Sequence, residues 1–197
     1  MPSSYWDHNA AYYPWVARAT HGCRRVLDVG CGTGELALML ARDGRCVTGI
    51  DPSGQCIARA RSQAPDGDVR FAVASLDDFQ ADDAFDAITF VASIHHMGMD
   101  AAIARAKDLL APGGVIAIVG LASPSSPLDH AIDALRVIPS WVSSRLHRVR
   151  TSEELGIPTS YAVPTMAQVR DVASRQLPGA TMRPGLHWRY LLTWKKA

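Results

Sequence analysis

The sequence predicts an α/β fold in which helices cover both faces of a mostly parallel β-sheet. Three observations lead to this prediction: apolar strand-like runs alternate with amphipathic segments, the connections between them are short, and a glycine-rich turn follows the first strand. Repeated strand–helix–strand units of this kind form parallel sheets, because each crossover helix packs back onto the sheet. With 197 residues, the chain suits one domain over 1–197, since two independent cores would be crowded at this length.

The first half of the chain contains two strand–helix units behind an aromatic lead-in. The lead-in covers residues 1–20 and is expected to be helical from residue 4, with a break near Pro14. Gly44 follows the first amphipathic helix as a C-terminal stop, and Pro52 lies at the start of the second. The predicted strands are 25–29 and 46–50, and the predicted helices are 35–42 and 56–63.

Three further strands and one helix continue the alternation. A turn at Pro112, Gly113 and Gly114 is expected to close the helix before the last of these strands begins. The predicted strands are 69–73, 87–91 and 115–119, and the predicted helix is 101–110.

The tail of the chain departs from this alternation. A predicted helix over 165–176 precedes two predicted strands, 180–183 and 188–194. A short Pro-Gly turn joins the two strands, which favours antiparallel pairing because a parallel pair needs a long crossover. Trp188 and Trp194 are expected to lie in the core or in an edge strand.

A long insertion of weak pattern, residues 121–164, separates the fifth strand from the tail. It includes a predicted helix over 128–138. Long segments at the carboxyl edge of a parallel sheet commonly shape ligand pockets. We therefore expect a substrate pocket between this insertion, the lead-in and the loop at 93–99. The alternative is that the insertion forms only a helix that covers the sheet, followed by a loop, and shapes no pocket.

Composition and charge argue against several classes of function. The 20 basic and 19 acidic residues give a net charge of +1, whereas a nucleic-acid surface usually shows a strong basic excess. No apolar run approaches the roughly 18 residues that span a bilayer, and the first residues lack the features of a secretory signal. The four cysteines have no Cys-x-x-Cys spacing, so no metal site is predicted. Cysteines used as small apolar fillers suit a reducing compartment, so a cytoplasmic location is expected.

The turn from Gly30 to Gly34 lies between a buried strand and a helix. Gly30 allows the sharp bend, Gly32 lets a ligand approach the backbone, and Gly34 permits the helix to pack closely on the sheet. The free N–H groups of the new helix then face the ligand. Asp51 ends the next strand 21 residues after Gly30, where its carboxylate can accept two hydrogen bonds from ribose hydroxyls. Together these features predict a cofactor that carries an adenosine.

Glu35 separates two candidates for this cofactor. A dinucleotide-binding turn has the spacing GxGxxG, and its third glycine would fall at the position that Glu35 occupies. A carboxylate there would repel a pyrophosphate, whereas S-adenosylmethionine (SAM) carries no phosphate. Asp28 can accept a hydrogen bond from the SAM ammonium group, directly or through water, while N–H groups of the turn bind the SAM carboxylate. The spacing therefore favours SAM over NAD.

Four stretches of the chain share one ordered pattern. They are Val-Leu-Asp-Val-Gly-Cys-Gly-Thr-Gly at 26–34, Thr-Gly-Ile-Asp-Pro-Ser at 48–53, the segment 85–97, and Leu-Leu-Ala-Pro-Gly-Gly at 109–114. In sequence, order and spacing these stretches resemble the motifs of the class I SAM-dependent methyltransferases. The resemblance covers roughly residues 20–120, and the last predicted strand is compatible with that of the family.

The resemblance implies a Rossmann-like, doubly wound, seven-stranded sheet of order 3-2-1-4-5-7-6 with strand 7 antiparallel. It also implies that SAM lies over the carboxyl ends of strands one, two and four. Where the family often has an acid for the adenine amino group, this chain has Ser75, so the contact is expected from Ser75 or Asp77, with the backbone of Leu76 as a further partner. The other implied contacts are Gly30, Cys31, Gly32 and Thr33 for the methionine part, Asp51 for the ribose, Pro52 for the adenine, and Val91 at the end of strand four.

Two histidines are candidate general bases. Methyl transfer from a sulfonium is an in-line displacement, and a base is needed only when the nucleophile must lose a proton. His96 follows the fourth strand beside His95, where a packing role is the alternative. His8 in the lead-in is the second candidate, and Asp7 can orient it. Tyr13 is the lead-in residue expected to contact the cofactor, since aromatic faces attract a sulfonium; simple packing on the sheet is the alternative.

These observations predict a SAM-dependent methyltransferase that acts on O or N, less readily on C, of a small-molecule acceptor and releases S-adenosylhomocysteine. The absence of an added recognition segment favours a small acceptor over protein or nucleic acid. One alternative is an NAD-dependent oxidoreductase, which Glu35 and the lack of a catalytic Tyr-x-x-x-Lys disfavour. The other is a noncatalytic SAM-binding module, which would tolerate a damaged glycine turn. The acceptor and the oligomeric state stay open.

Overall fold

The computed structural model describes residues 9–64, 69–127, 129, 163–186 and 188–197. Seven strands form one sheet in the order β3-β2-β1-β4-β5-β7-β6. Strands β1 to β5 pair in parallel, and β7 runs antiparallel to both β5 and β6. The predicted fold class and strand order are therefore confirmed. The strands are β1 Arg25–Val29, β2 Cys46–Asp51, β3 Val69–Val73, β4 Phe85–Val91, β5 Leu110–Leu121, β6 Thr181–Pro184 and β7 Arg189–Lys195.

Five α-helices and two short 3-10 helices accompany the sheet in the described residues. None of these helices is long and apolar enough to cross a membrane. The 3-10 helices are Ala10–Tyr12 and Ile94–His96, and the α-helices are α1 Tyr13–Ala19, α2 Glu35–Ala41, α3 Gly54–Gln63, α4 Met99–Leu109 and α5 Met166–Gln176.

The helices divide between the two faces of the sheet. Val16 of α1, Leu40 of α2 and Ile57 of α3 belong to one buried cluster with residues of β1 and β2. Ile103 of α4 and Val169 of α5 belong to a second cluster with residues of β4, β5 and β7. Each helix thus buries one apolar stripe against the sheet, which is the arrangement expected of a doubly wound fold.

The turn predicted before strand five is in fact a bulge inside β5. Leu110 pairs with Phe85, but the next pair joins Val115 with Ala87, so the β5 backbone has extra residues between two pairs. Gly113 takes φ +74° within this stretch. Glycine adopts this left-handed conformation without the steric cost that other residues meet. The Pro-Gly-Gly sequence therefore bends the strand and does not end it.

The described part of the aromatic lead-in is helical from Ala10 to Ala19. A 3-10 turn runs directly into α1, and Pro14 lies in the first turn of α1. Proline fits there because first-turn N–H groups need no helical acceptor, so Pro14 helps to begin the helix and does not break it. Residues 1–8 lie outside the described part of the chain. So does the predicted helix over 128–138, except for Asp129.

The tail strands lie against β5 through a close contact between a tyrosine and a glycine. Tyr190 is fully buried, and a Cβ added to Gly120 would lie 2.2 Å from its Cζ. The ring therefore crosses β5 where no side chain intervenes. Trp194, in β7, is buried as predicted, but the prediction for Trp188 is wrong. Trp188 precedes β7 and is 65% exposed.

Candidate functional site

The candidate site lies where the strand order reverses. The chain proceeds outward from β1 to β2 and β3, and then returns to place β4 on the other side of β1. At such a switch point the connections leave in opposite directions and open a crevice at the carboxyl ends of the strands. The turn after β1 begins at this crevice.

The three glycines of this turn all have left-handed backbones, but their surroundings differ. A Cβ on Gly30 would lie 2.4 Å from Cβ of Ser93, and one on Gly34 would lie 2.7 Å from the Phe71 ring. A Cβ on Gly32 would meet nothing within 4 Å. Gly30 and Gly34 thus permit close packing, whereas Gly32 exposes its backbone to the crevice.

Hydrogen bonds fix the turn to the end of β2. The N–H groups of Gly30 and Cys31 both donate to the carbonyl of Ile50, at 2.8 and 3.0 Å. The N–H of Gly32 donates to Oδ2 of Asp51 at 3.0 Å. These three N–H groups are therefore already engaged, which was not anticipated from the sequence.

Asp51 connects the turn with the start of α3. Its Oδ1 accepts from the N–H of Ser53 at 2.8 Å, while its Oδ2 accepts from Gly32. A carboxylate has about four acceptor positions, so each oxygen keeps capacity for a hydroxyl donor. Pro52, beside it, is exposed at the same edge.

Asp28 is a buried carboxyl group at the centre of the switch point. Thr89 is its partner in β4 and donates from Oγ1 to Oδ1 of Asp28 at 2.9 Å. Burial raises the pKa of Asp28 to about 7, the hydrogen bond from Thr89 opposes this, and the charges of Asp51 and Glu35 add to the increase. The group is thus held near the midpoint of its titration at neutral pH.

Thr33 and Glu35 close the turn at the start of α2. Thr33 donates from Oγ1 to Oε1 of Glu35 at 2.6 Å, and Glu35 is the first residue of α2. The carboxylate therefore lies beside the turn, where a pyrophosphate would meet its negative charge. This geometry agrees with the preference for SAM over NAD.

The residues expected to hold the adenine follow β3. Ser75 donates from Oγ to Oδ2 of Asp78 at 2.6 Å and accepts from the Asp78 N–H at 3.2 Å. Its hydroxyl is therefore occupied by a local turn. The Leu76 side chain is buried, and Asp77 is exposed. Asp78 was missed, although serine followed three residues later by aspartate is a recognisable turn pattern.

The end of β4 packs directly on the glycine turn. Ala92, just after Val91, has φ +53°, a conformation that costs a non-glycine residue free energy and is common at functional sites. Ser93 is buried and donates from Oγ to the carbonyl of Val29 at 2.6 Å. Sequence reasoning missed Ser93, because only the fold places it opposite Gly30.

The two histidines after β4 differ in their surroundings. Their rings are in contact, with centroids 4.0 Å apart and planes tilted by 40°. His96 is exposed, whereas Nδ1 of His95 is buried without a hydrogen-bond partner among the described residues. Burial lowers the pKa of His95 to about 4, with contributions from His96 and Arg189. Burial also lowers the pKa of His96, against the opposing charge of Asp51. Burial thus favours the neutral form of both rings.

The lead-in contributes one half-buried candidate to this region. Tyr13 opens α1 and packs against the cluster that joins α1 to α3. Its neighbour Tyr12 is buried and donates from its hydroxyl to the carbonyl of Leu186 at 2.8 Å. His8 lies outside the described residues, so its assignment stays a prediction.

A cleft of about 100 Å³ opens near the carboxyl end of β5. Ala122, Pro124 and Asp129 form one wall, so the start of the 121–164 insertion borders the cleft. The other described walls come from α5, β6, Trp188 and the first residue of β7, while the loop at 93–99 and the described part of the lead-in do not line the cleft. The tail therefore takes a larger part in this cleft than the sequence indicated.

Comparisons with known proteins agree with this geometry. A family model described as a methyltransferase domain matches residues 26–114. An uncharacterized methyltransferase of Mycobacterium bovis is 32% identical over 195 residues, covering 96% of both chains. A ubiquinone biosynthesis O-methyltransferase of Alkalilimnicola ehrlichii is 32% identical over 198 residues, covering 95% of this chain and 76% of that protein.

A solved structure supports the fold independently. The N-methyltransferase NodS from Bradyrhizobium japonicum, in complex with S-adenosylhomocysteine, aligns with a TM-score of 0.65 at 17% identity. The alignment covers 96% of this chain and 88% of NodS. The relatives match along almost the whole chain, and the strand order is the one expected of the family that the sequence motifs resemble. This chain therefore belongs to the class I SAM-dependent methyltransferases.

Proposed function

We propose that this methyltransferase moves the methyl group of SAM to an oxygen or nitrogen atom of a small-molecule acceptor. The acceptor lone pair forms the new bond to the methyl carbon, and the sulfur–methyl bond breaks. Its electron pair returns to sulfur, which leaves neutral S-adenosylhomocysteine. A proton carried by the acceptor passes to a base or to water. The enzyme has to align the acceptor atom with the sulfur–methyl bond and to exclude water, since the sulfonium is already activated.

The observation that carries the proposal is the contact between Asp51 and the glycine turn. Oδ2 of Asp51 and the N–H of Gly32 are 3.0 Å apart, which brings the ends of β1 and β2 together beneath one ligand. We assign Asp51 to the ribose and Pro52 to the adenine. Further contacts of the proposed cofactor site are Tyr13, Asp28, Gly30, Cys31, Gly32, Thr33, Ser75, Leu76, Asp77 and Val91.

The engaged N–H groups refine the proposed contact with the methionine part. Gly30, Cys31 and Gly32 already donate within the protein, so the N–H of Thr33 is the donor of the turn that we assign to the SAM carboxylate. Asp28, buried below, is the acceptor for the SAM ammonium, directly or through one water. An ion pair in this low-dielectric position would favour the ionised form of Asp28.

The activities named for similar proteins and the size of the cleft support the proposed acceptor class. One relative is named as an O-methyltransferase and one structural neighbour as an N-methyltransferase. The cleft near β5 is small, which favours a small molecule over a macromolecule. His96, whose lowered pKa favours the neutral form, is the proposed base for an acceptor that must lose a proton, and His8 is the second candidate.

Titration calorimetry with SAM, S-adenosylhomocysteine and NADH tests the cofactor assignment. We expect the wild-type protein to bind the first two at micromolar concentrations and not to bind NADH. Asp51→Ala should abolish SAM binding while the protein stays folded, because its carboxylate orders the turn and accepts from the ribose.

Asp82→Ala is the matched control, since Asp82 is exposed and lies in the loop before β4, at the opposite end of the parallel strands from the turn. It should leave the SAM affinity unchanged. Unaltered affinity in Asp51→Ala would refute the proposed cofactor position. Binding of NADH alone would refute the proposed reaction.

A further inference from the structure

The lead-in is attached to the last two strands by hydrogen bonds between residues far apart in the sequence. The hydroxyl of Tyr12 donates to the carbonyl of Leu186 at 2.8 Å, and the two residues are 174 positions apart. A guanidinium nitrogen of Arg189 donates to Oδ1 of Asn9 at 2.6 Å, across 180 positions. The beginning of the described chain is thus held against the turn between β6 and β7.

The aromatic rings of the lead-in pack closely on the same part of the tail. A Cβ added to Gly185 would lie 2.8 Å from the hydroxyl oxygen of Tyr12, so a larger residue there would displace the ring. The Arg189 guanidinium lies 5.9 Å from the centroid of the Tyr12 ring, and that of Arg183 lies 5.8 Å from the centroid of Trp15. Both distances are within the range of cation–π attraction. Tyr12 therefore contacts the tail through its hydroxyl and through its ring.

These contacts lie at the carboxyl edge of the parallel strands. Arg189 pairs with Leu121, the last residue of β5. The other end of α1 lies at the opposite edge, because its C-cap residue Thr20 accepts at Oγ1 from Arg45, just before β2, at 2.8 Å. Helix α1 thus runs from the edge that holds the crevice to the edge that does not, and the tail holds it at the crevice end.

The attached end of the lead-in adjoins residues of the proposed cofactor site. Tyr13 follows Tyr12 directly. Tyr13 and Val91, at the end of β4, both pack against the buried cluster that contains Tyr12 and Cys31 of the glycine turn. A segment held at this position borders the crevice from the side of β5.

The contacts of this end differ from those of the helix that follows. Val16, in the middle of α1, is fully buried within the same cluster, and this apolar burial keeps α1 on the sheet. The residues before α1 are held largely by polar contacts, which water can replace when they open. A single hydrogen bond of this kind changes an equilibrium by roughly fivefold. The crevice end can therefore detach while the rest of α1 stays packed.

We infer that Tyr12 is a positioning residue that holds the lead-in beside the proposed cofactor site and thereby slows the release of S-adenosylhomocysteine. Tyr12 acts through Tyr13 and does not itself touch the cofactor. When the bond between Tyr12 and Leu186 opens, the lead-in moves away from the crevice and the product can leave. This inference rests on the proposed function, because it concerns the product of that reaction.

The dissociation rate of S-adenosylhomocysteine, measured by surface plasmon resonance on the immobilised full chain, tests the inference. Tyr12→Phe keeps the ring and removes only the hydroxyl. We expect this variant to release S-adenosylhomocysteine roughly fivefold faster than the wild-type protein. An unchanged dissociation rate would overturn the inference.

Two control variants separate this role from a general loss of stability. Tyr190→Phe also removes a buried tyrosine hydroxyl, but Tyr190 belongs to the other buried cluster, and its hydroxyl has no hydrogen-bond partner among the described residues. Val16→Ala should lower Tm, because it leaves a cavity beneath α1. Both controls should release S-adenosylhomocysteine at the wild-type rate. If Val16→Ala accelerates release as much as Tyr12→Phe, the role of Tyr12 is only structural and the inference fails.

Amide hydrogen exchange gives a second measurement that a purely structural role would not change. In the wild-type protein, S-adenosylhomocysteine should slow exchange over residues 9–13, because the bound product keeps this segment in place. Tyr12→Phe should lose most of this protection, whereas exchange over 16–19 should be the same in both proteins. Equal protection of 9–13 in the two proteins would contradict the inference.

Binding of S-adenosylhomocysteine to the wild-type protein separates the two proposals. If the wild-type protein binds it and Tyr12→Phe releases it at the same rate, the positioning role fails and the proposed function stands. If the wild-type protein does not bind it, the proposed function fails, and this inference fails with it.

Discussion

Asp28 makes cofactor binding sensitive to pH near neutrality. Its pKa is raised to about 7, mainly by burial, and the proposed contact with the SAM ammonium requires the ionised form. We expect the dissociation constant of SAM to be several-fold larger at pH 6 than at pH 8. Isothermal titration across this range measures it, and Asp28→Asn should give a flat profile. A flat profile in the wild-type protein would contradict the assignment.

The same carboxyl group should influence stability without ligand. The pKa of folded Asp28 lies above its unfolded value near 4. Protonation of Asp28 therefore contributes fully to folding stability below about pH 4, and this contribution is lost as the pH rises from about 4 to about 7. The change amounts to on the order of 4 kcal/mol. Urea unfolding of wild type and Asp28→Asn at pH 5 and pH 8 should show the variant gaining relative stability at the higher pH.

His96 and His95 provide a comparison between neighbouring side chains. If His96 is the base, His96→Ala should lower turnover by on the order of 100-fold with little change in SAM affinity. The lowered pKa of His96 predicts that the acidic limb of the kcat profile falls below pH 6.5 and disappears in the variant. His95→Ala, which removes a half-buried ring, should lower stability as well. If His96→Ala turned over at the wild-type rate, His96 would not be the base, and its role would be packing.

Helix α5 is attached to the start of the insertion by an ion pair that differs from those on the surface. Both oxygens of Asp129, whose side chain is 6% exposed, accept from Arg170, and Ser125 also donates to Oδ2. These donors hold the pKa of the Asp129 carboxyl well below its usual range. The stabilisation is therefore present above about pH 4 and is lost in acid.

Removing Arg170 should accordingly cost more stability than removing a neighbouring arginine. Arg175, also in α5, pairs with Asp100 and Asp171, and all three side chains are at least half exposed. We expect Arg170→Ala to lower the urea midpoint more than Arg175→Ala at pH 7, since exposed pairs contribute little. The difference should shrink at pH 3. Equal effects at pH 7 would show that the Asp129 pair acts as a surface contact.

At the scale of the whole molecule, the proposed cofactor contacts come from elements spread across the sheet. A ligand that bridges β1, β2 and the end of β4 should stabilise the entire fold by mass action. At one hundred times its dissociation constant, SAM should add about 2.7 kcal/mol, or roughly 5–10 °C in Tm for a chain of this size. Differential scanning fluorimetry measures the shift. Asp51→Ala should show none, and an equal shift in that variant would indicate binding elsewhere.

Much of this molecule could be predicted because its signals are local. Alternating strand and helix patterns and the glycine turn lie in short windows, and the strand order followed from a family resemblance. Ser93 was missed and Trp188 was misplaced for a different reason. Their roles depend on which distant backbone they approach, Gly30 in one case and the end of β5 in the other. The bulge at Gly113 was mistaken for a turn, because a Pro-Gly-Gly sequence occurs both in turns and in strand bulges.

Just beyond β5, Ser123 forms an isolated parallel bridge with Thr165, the residue before α5. Ser123 donates to the carbonyl of Pro164 at 2.9 Å and accepts from the N–H of Met166 at 2.9 Å. The two ends of the insertion are thus held together by these hydrogen bonds. Changing the length of a segment whose ends are close together costs little loop-closure entropy. The length and sequence of this segment can therefore change without disturbing the sheet, which under the proposed function is a way for acceptor choice to change while the SAM-binding half stays the same.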